Sequence, residues 1–176
     1  MREKKKGSSW FKKKSSQERS ERTDSKGDLC GKGAQYYKDG VYDLAVECFL
    51  GSAEQGNVVA QCNLGFCCYY GIGIGKDPEK AVGWFRKSAE LGYARSQFFL
   101  GYCYENGCGV IRSYEKAVEW YLKSAAQGEV KAQYLLGDCY YSGKGVSQNY
   151  EKAKEWYRKS SELGYEKASK KLKECF

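Results

Sequence analysis

Displaced by 36 residues, the chain matches itself, and nothing else in its 176 residues restricts the possible fold as strongly. Leu64-Gly65, Leu100-Gly101 and Leu136-Gly137 fall in register, and so do Gln61, Gln97 and Gln133. Gly71, Gly107 and Gly143 follow, each with a second glycine two places on at Gly73, Gly109 and Gly145. Glu79-Lys80-Ala81, Glu115-Lys116-Ala117 and Glu151-Lys152-Ala153 come next, then Trp84, Trp120 and Trp156. Gly56, Gly92, Gly128 and Gly164 end the units. A period of this length marks an array in which each unit buries its apolar face by stacking on its neighbours.

Each unit reads as two helices and no strand. In the second unit Gln61, Leu64, Gly65 and Cys68 share one helical face, and Ala81, Trp84, Phe85 and Ser88 share another. Asp77, Ser113 and Asn149 stand where the second helix begins, and each is a good N-cap. Pro78 follows Asp77 at the first helical position, where its missing N–H costs nothing. The glycine after Leu91, Gln127 and Leu163 is a left-handed stop. The small Gly65 position predicts a close approach of the two helices. Ile72, Ile74, Val110 and Val146, beside the glycine pairs, supply an apolar residue to pin the loop.

The first unit departs from the frame. Gly33 to Ala45 spans twelve residues where Gly65 to Ala81 spans sixteen, so the inter-helix loop is shorter there. After Gly164 the lysine-rich end reads as one solvating helix, the kind of cap a solenoid needs. The domain plan is therefore a tail over 1–26, units at 27–57, 58–93, 94–129 and 130–165, and a capping helix at 166–176.

Taken together, the Leu-Gly, paired-glycine, Lys-Ala and Trp positions resemble the Sel-one-like repeat (SLR) family, a longer-looped branch of the tetratricopeptide superfamily; the short first unit looks like an ordinary tetratricopeptide unit. The resemblance implies an all-α, right-handed α-solenoid that serves as a non-catalytic scaffold or adaptor. Its partner would be a peptide or helix of another protein held in the concave groove, which the first helix of each unit lines. Carried over by position, the groove residues are Cys30, Tyr37 and Lys38 in the first unit and Cys62, Phe66, Tyr69 and Tyr70 in the second. The third supplies Phe98, Tyr102, Glu105 and Asn106, and the fourth Lys131, Tyr134, Asp138, Tyr141 and Ser142. Tyr69 shares its column with Glu105 and Tyr141, and Tyr102 shares its own with Phe66 and Asp138. Carboxylates are rarely buried unpaired, so both columns are expected to face solvent. For Phe66, Phe98 and Tyr134 a second role stays open, that of filling gaps between adjacent first helices. Trp84, Trp120 and Trp156 are expected to pack the second helices against their neighbours.

The chain has no histidine, which removes the commonest general base and metal ligand. Gly71-Ile-Gly-Ile-Gly75-Lys76 lacks the spacer and hydroxyl residue of a phosphate-binding loop. A hydrolase-type activity is thus disfavoured, and neither cofactor nor metal is expected. Of nine cysteines, Cys67, Cys103 and Cys139 share one column and read as small packing residues; Cys108, between turn glycines, reads as an exposed thiol. A cysteine-rich secreted branch of the resembling family bridges the end of one unit to the start of the next. Those positions here are Ala89 with Gln97 and Ala125 with Gln133, so no such bridge forms.

The net charge of +8 is uneven. Residues 1–28 hold ten Lys/Arg against five Asp/Glu, leaving twenty against seventeen in 29–176. No specific nucleic-acid contact is expected of the repeats. Lys4 to Lys14, with Trp10-Phe11 between lysine triplets, supports a rival reading in which residues 1–14 recruit the chain to an anionic membrane or to nucleic acid. No apolar run suits a signal peptide or membrane helix, and a cytoplasmic location, with the nucleus as an alternative, is the expectation.

Overall fold

A computed structural model of the chain describes residues 28–175. The tail, with its membrane-contact expectation, lies outside the described residues. The described part is built of helices: α1 (Leu29–Lys38), α2 (Tyr42–Glu54), α3 (Val58–Tyr70), α4 (Pro78–Glu90), α5 (Ala94–Asn106), α6 (Tyr114–Ala126), α7 (Val130–Ser142), α8 (Tyr150–Glu162) and α9 (Glu166–Cys175). Each packs chiefly against the helix before and after it, giving a solenoid of four antiparallel pairs closed by α9.

The caps form as the sequence predicts. The Asp77 carboxylate accepts from the Lys80 N–H at 2.9 Å, Ser113 from Lys116 at 3.2 Å and Asn149 from Lys152 at 2.9 Å. In the short first unit α2 begins after Val41, which has no such side chain. The first helix of each later unit ends on a left-handed glycine: Gly71, Gly107 or Gly143.

The Leu-Gly glycine is where the two helices of a unit meet. A Cβ on Gly65 would lie 2.8 Å from the Phe85 ring, and one on Gly101 would lie 2.7 Å from the Tyr121 ring. Gly33 meets Phe49 and Gly137 meets Tyr157 in the same way. This ring column is buried throughout. It, rather than the tryptophans, fills the inter-helix slot. Trp84, Trp120 and Trp156 pack on the core with one side only. The ammonium groups of Lys87, Lys123 and Lys159 sit 4.4, 4.2 and 4.3 Å from their ring centroids.

The second loop glycine has a different reason. Gly73, Gly109 and Gly145 have positive φ, and a Cβ there would meet the backbone at the first turn of the preceding unit's second helix, at Tyr42, Pro78 and Tyr114. The long loop therefore touches the unit behind it. Ile74, Val110 and Val146 anchor it by packing on the core.

Polar stitches hold successive units in register. Gln61, Gln97 and Gln133 donate through Nε2 to the carbonyls of Ala53, Ala89 and Ala125 at 3.2, 3.1 and 3.3 Å. The Ala89–Gln97 and Ala125–Gln133 positions, which cannot form a disulfide, are thus joined by hydrogen bonds. Within each of the last three units Ser88, Ser124 and Ser160 donate to the carbonyls of Val58, Ala94 and Val130. The middle joint is the best satisfied: Gln97 Oε1 accepts from Gln127 Nε2 at 2.8 Å. The Oε1 atoms of Gln61 and Gln133 are buried without a partner. One repeat away from Gln127 on either side stand Leu91 and Leu163, which cannot donate.

Candidate binding groove

The first helices α1, α3, α5 and α7 carry the residues that the sequence assigns to the groove. On α1 and α3 they form a run of touching rings. Tyr37 meets Tyr42 and Phe66 at centroid distances of 5.3 and 6.5 Å, and Phe66 meets Tyr70 at 4.6 Å. Tyr70 meets Tyr69 at 4.8 Å, and Tyr69 reaches Tyr102 of the next unit at 6.5 Å. Edge and tilted contacts of this kind favour the arrangement beyond the area they bury. Tyr70 and Tyr102 remain 53% and 36% exposed.

Beyond Tyr102 the face changes. The buried Tyr121 hydroxyl donates to Glu105 at 2.6 Å, and the Tyr157 hydroxyl to Asp138 at 2.7 Å. Both carboxylates are half-buried. Burial, reinforced by the facing carboxylate, pushes the Tyr121 and Tyr157 hydroxyls above the usual phenol range. Tyr134, against Tyr157 and Tyr165, is pushed up to about 12 by burial and by Asp138. Tyr141 packs on Tyr150 at 5.3 Å. Lys38, Asn106, Lys131 and Ser142 are exposed.

Several sequence assignments change. Phe98 is only 8% exposed, packed on Phe99 and 6.2 Å from the Tyr121 ring. It fills the gap between first helices and offers no groove surface. Cys62 is buried beneath the face, beside Ser96. Tyr69 is half-buried, not open: it packs on the core and against Tyr70 and Tyr102, and its hydroxyl donates to Cys108 Sγ at 3.5 Å. Cys108, packed against the same core, is half-buried instead of an exposed thiol. Cys67, Cys103 and Cys139 are buried as predicted, and burial pushes each thiol up to about 12. Among the described residues no group of three or more His, Cys, Asp or Glu side chains could hold a metal.

Two features escaped the sequence. One is the tyrosine–carboxylate pairing, which spans 16 residues in one unit and 19 in the next and so leaves no trace at the repeat spacing. The other is a cleft of about 280 Å³ between α1 and α3, made by what α1 lacks. Aligning Gly33 with Gly65 puts Ala34 in the column of Phe66, Tyr102 and Asp138.

The Sel1 repeat profile matches residues 27–57, 58–93, 94–129 and 130–165. The chain belongs to the Sel1 repeat family. No curated protein of similar sequence is found. Among solved structures, a Sel1 repeat protein from Oxalobacter formigenes is 35% identical, with a TM-score of 0.78 over 82% of this chain and 58% of its own. The protective antigen c5321 of uropathogenic Escherichia coli, which displays an SLR fold, is 36% identical, with a TM-score of 0.78 over 82% of this chain and 32% of its own. Helicobacter pylori cysteine rich protein B is 32% identical over 68% of this chain, with a TM-score of 0.56. The Sel1 chain therefore spans 58% and 32% of the length of the first two relatives. Sel1 repeats generally mediate protein–protein interaction and are generally non-catalytic. No helix among the described residues is long and apolar enough to cross a membrane.

Proposed function

We propose that this Sel1 solenoid is a non-catalytic adaptor whose first-helix face grips a peptide or helical segment of a partner protein. The observation that carries the reading is the ring run from Tyr37 through Phe66, Tyr70 and Tyr69 to Tyr102, which crosses three units and keeps Tyr70 and Tyr102 open. Rigid aromatics with polar tips are the side chains that binding surfaces enrich. Glu105 and Asp138 extend the face with charge, and Lys38, Tyr134 and Tyr141 border it.

The test compares proteins captured by the full chain with those captured by Tyr102→Ala and by Lys123→Ala, which lies on the second helix α6. Truncating a central tyrosine weakens binding by about 2 kcal/mol, roughly thirtyfold. Capture is expected to fall with Tyr102→Ala, persist with Lys123→Ala, and leave the melting temperature of both variants close to that of the parent. Capture lost equally with both substitutions, or with neither, rejects the groove.

A further inference from the structure

The cleft beneath Ala34 differs from the rest of the face in shape and in charge. Tyr37 and Phe66 wall it, Asn63 lines it, and Lys38 and Arg95 stand at its edge. Its volume, about 280 Å³, falls just under the roughly 300–1,000 Å³ of small-molecule sites, which suits one anchoring side chain and its adjoining backbone. The space exists because α1 carries Ala34 where later units carry Phe66, Tyr102 and Asp138.

The charge is one-sided. The helix α3 contains no ionisable acid or base other than its cysteines and tyrosines, and α1 carries Lys32 and Lys38. The Arg95 guanidinium lies 5.8 Å from the Phe99 ring, whose centroid is in turn 5.8 Å from Phe66. Neither Lys38 nor Arg95 has a carboxylate partner among the described residues. Of the acids flanking α1, Asp39 accepts from Gln35 and Asp28 stands at the helix start; neither lines the cleft, and nor does Glu129, which acts with Arg95 on Cys62 and Tyr93 from the start of α7. The groove acids Glu105 and Asp138 belong to the third and fourth units, where buried tyrosines hold them.

We infer that the cleft is the anchor point for an acidic protein segment, taking a bulky apolar side chain into the space left by Ala34, against Tyr37 and Phe66, while flanking carboxylates pair with Lys38 and Arg95. This rests on the groove reading above and gives it a direction. The acidic, apolar end of the partner seats on the first two units and the start of α5, and Glu105 and Asp138 repel acid at the other end. Two exposed ion pairs add modestly to affinity and are screened by salt, so the preference for acid is about fivefold at low ionic strength and shrinks as salt is added.

The test uses the full chain and three labelled peptides of about a dozen residues, acetylated and amidated, each with a Leu-Phe anchor flanked by glutamates, serines or lysines. Fluorescence anisotropy is expected to rank glutamate above serine above lysine. The double variant Lys38→Glu/Arg95→Glu should reverse that order. Ala34→Phe, which restores the bulk found in the later units, should remove binding of all three with the helical signal intact. Equal affinity for the glutamate and serine peptides, an order unchanged in the double variant, or no measurable binding of any peptide overturns the proposal. If Tyr102→Ala weakens peptide binding but Ala34→Phe does not, the groove stands and the anchor point falls. If the bound peptide responds to neither, the groove reading itself is wrong.

Discussion

In the second unit the slot over the packing glycine holds Phe85, and the face above it presents Phe66 and Tyr69. In the third the slot holds Tyr121, and Glu105 stands in Tyr69's column. The fourth repeats the exchange with Tyr157 and Asp138, although the acid now comes from the neighbouring column. The slot accepts either ring, so packing alone does not call for the hydroxyl. What the hydroxyl adds is a donor reaching toward the groove, and a buried donor must be satisfied. Slot and surface are therefore chosen together: phenylalanine lies below an aromatic face, tyrosine below an acidic one. The first two units need no polar group at that depth and can leave a cleft, whereas the last two hold their carboxylates in place.

The largest effect should come from the element both halves share. Gly101→Val places branched carbon against the Tyr121 ring, 2.7 Å from a bare Cβ, and the Ala117 carbonyl, 3.1 Å away. Overpacking of this kind costs about 3 kcal/mol, roughly 10 °C of melting temperature for a chain of this length. Gly65→Val should cost as much against Phe85. An unchanged melting temperature in either would show that the glycine is not at the contact that separates the helices.

The next test separates the halves. Glu105→Leu leaves the buried Tyr121 hydroxyl without an acceptor and should destabilise the fold by about 2 kcal/mol. Tyr121→Phe in the same chain should recover most of that, because the third unit then resembles the second. A double-mutant cycle with no coupling would dissolve the link between slot and surface.

A smaller effect is set by pH. The thiols of Cys67, Cys103 and Cys139 are pushed from the usual value of 9.0 up to about 12 by burial. Between those values the unfolded chain loses thiol protons that the folded chain keeps, so stability is full below about pH 9 and falls as pH rises toward 12. The buried tyrosine hydroxyls act in the same direction at the alkaline end. Urea midpoints measured across this range should decline, and less steeply in Cys103→Ala. An identical slope in that variant assigns the decline elsewhere.

The smallest effect concerns the joints. Leu91 is 66% exposed and Leu163 56%, and each occupies the position from which Gln127 satisfies Gln97. Leu91→Gln should therefore supply the missing donor to Gln61, and Leu163→Gln to Gln133, each raising stability by about 0.5–1 kcal/mol. A loss of stability in both would mean that the outer joints differ from the middle one in more than this residue.

The helices, their caps and the close glycine contacts were legible because each depends on a residue recurring every 36 positions. Asp77, Ser113 and Asn149 announced helix starts by chemistry alone, and Gly65, Gly101 and Gly137 announced the narrow gap. The groove was legible only in outline. Phe98 stands four positions earlier in its helix than Phe66 does, in the column of the buried Cys62, and the net turn of about 40° between the two positions decides which faces inward. Tyr69 could not be placed without its partner Cys108, 39 residues away in another unit's loop. The cleft under Ala34 was hidden because an alanine on a helix carries no signal until the larger residues around it are seen to leave space.

Each helix packs chiefly on its sequence neighbours, so the chain never has to bring its two ends together. Closing only short loops keeps the entropic cost of each step small, and topologies of this kind fold fast for their size. Folding can begin at any pair and spread outward, and unfolding can proceed from either end without passing through the middle. The joint made by Gln97 with the Ala89 carbonyl, whose glutamine oxygen Gln127 satisfies and which has two units on either side, should be the last to open. Its amide protons should exchange most slowly with solvent, while those of α1 and α9 exchange first.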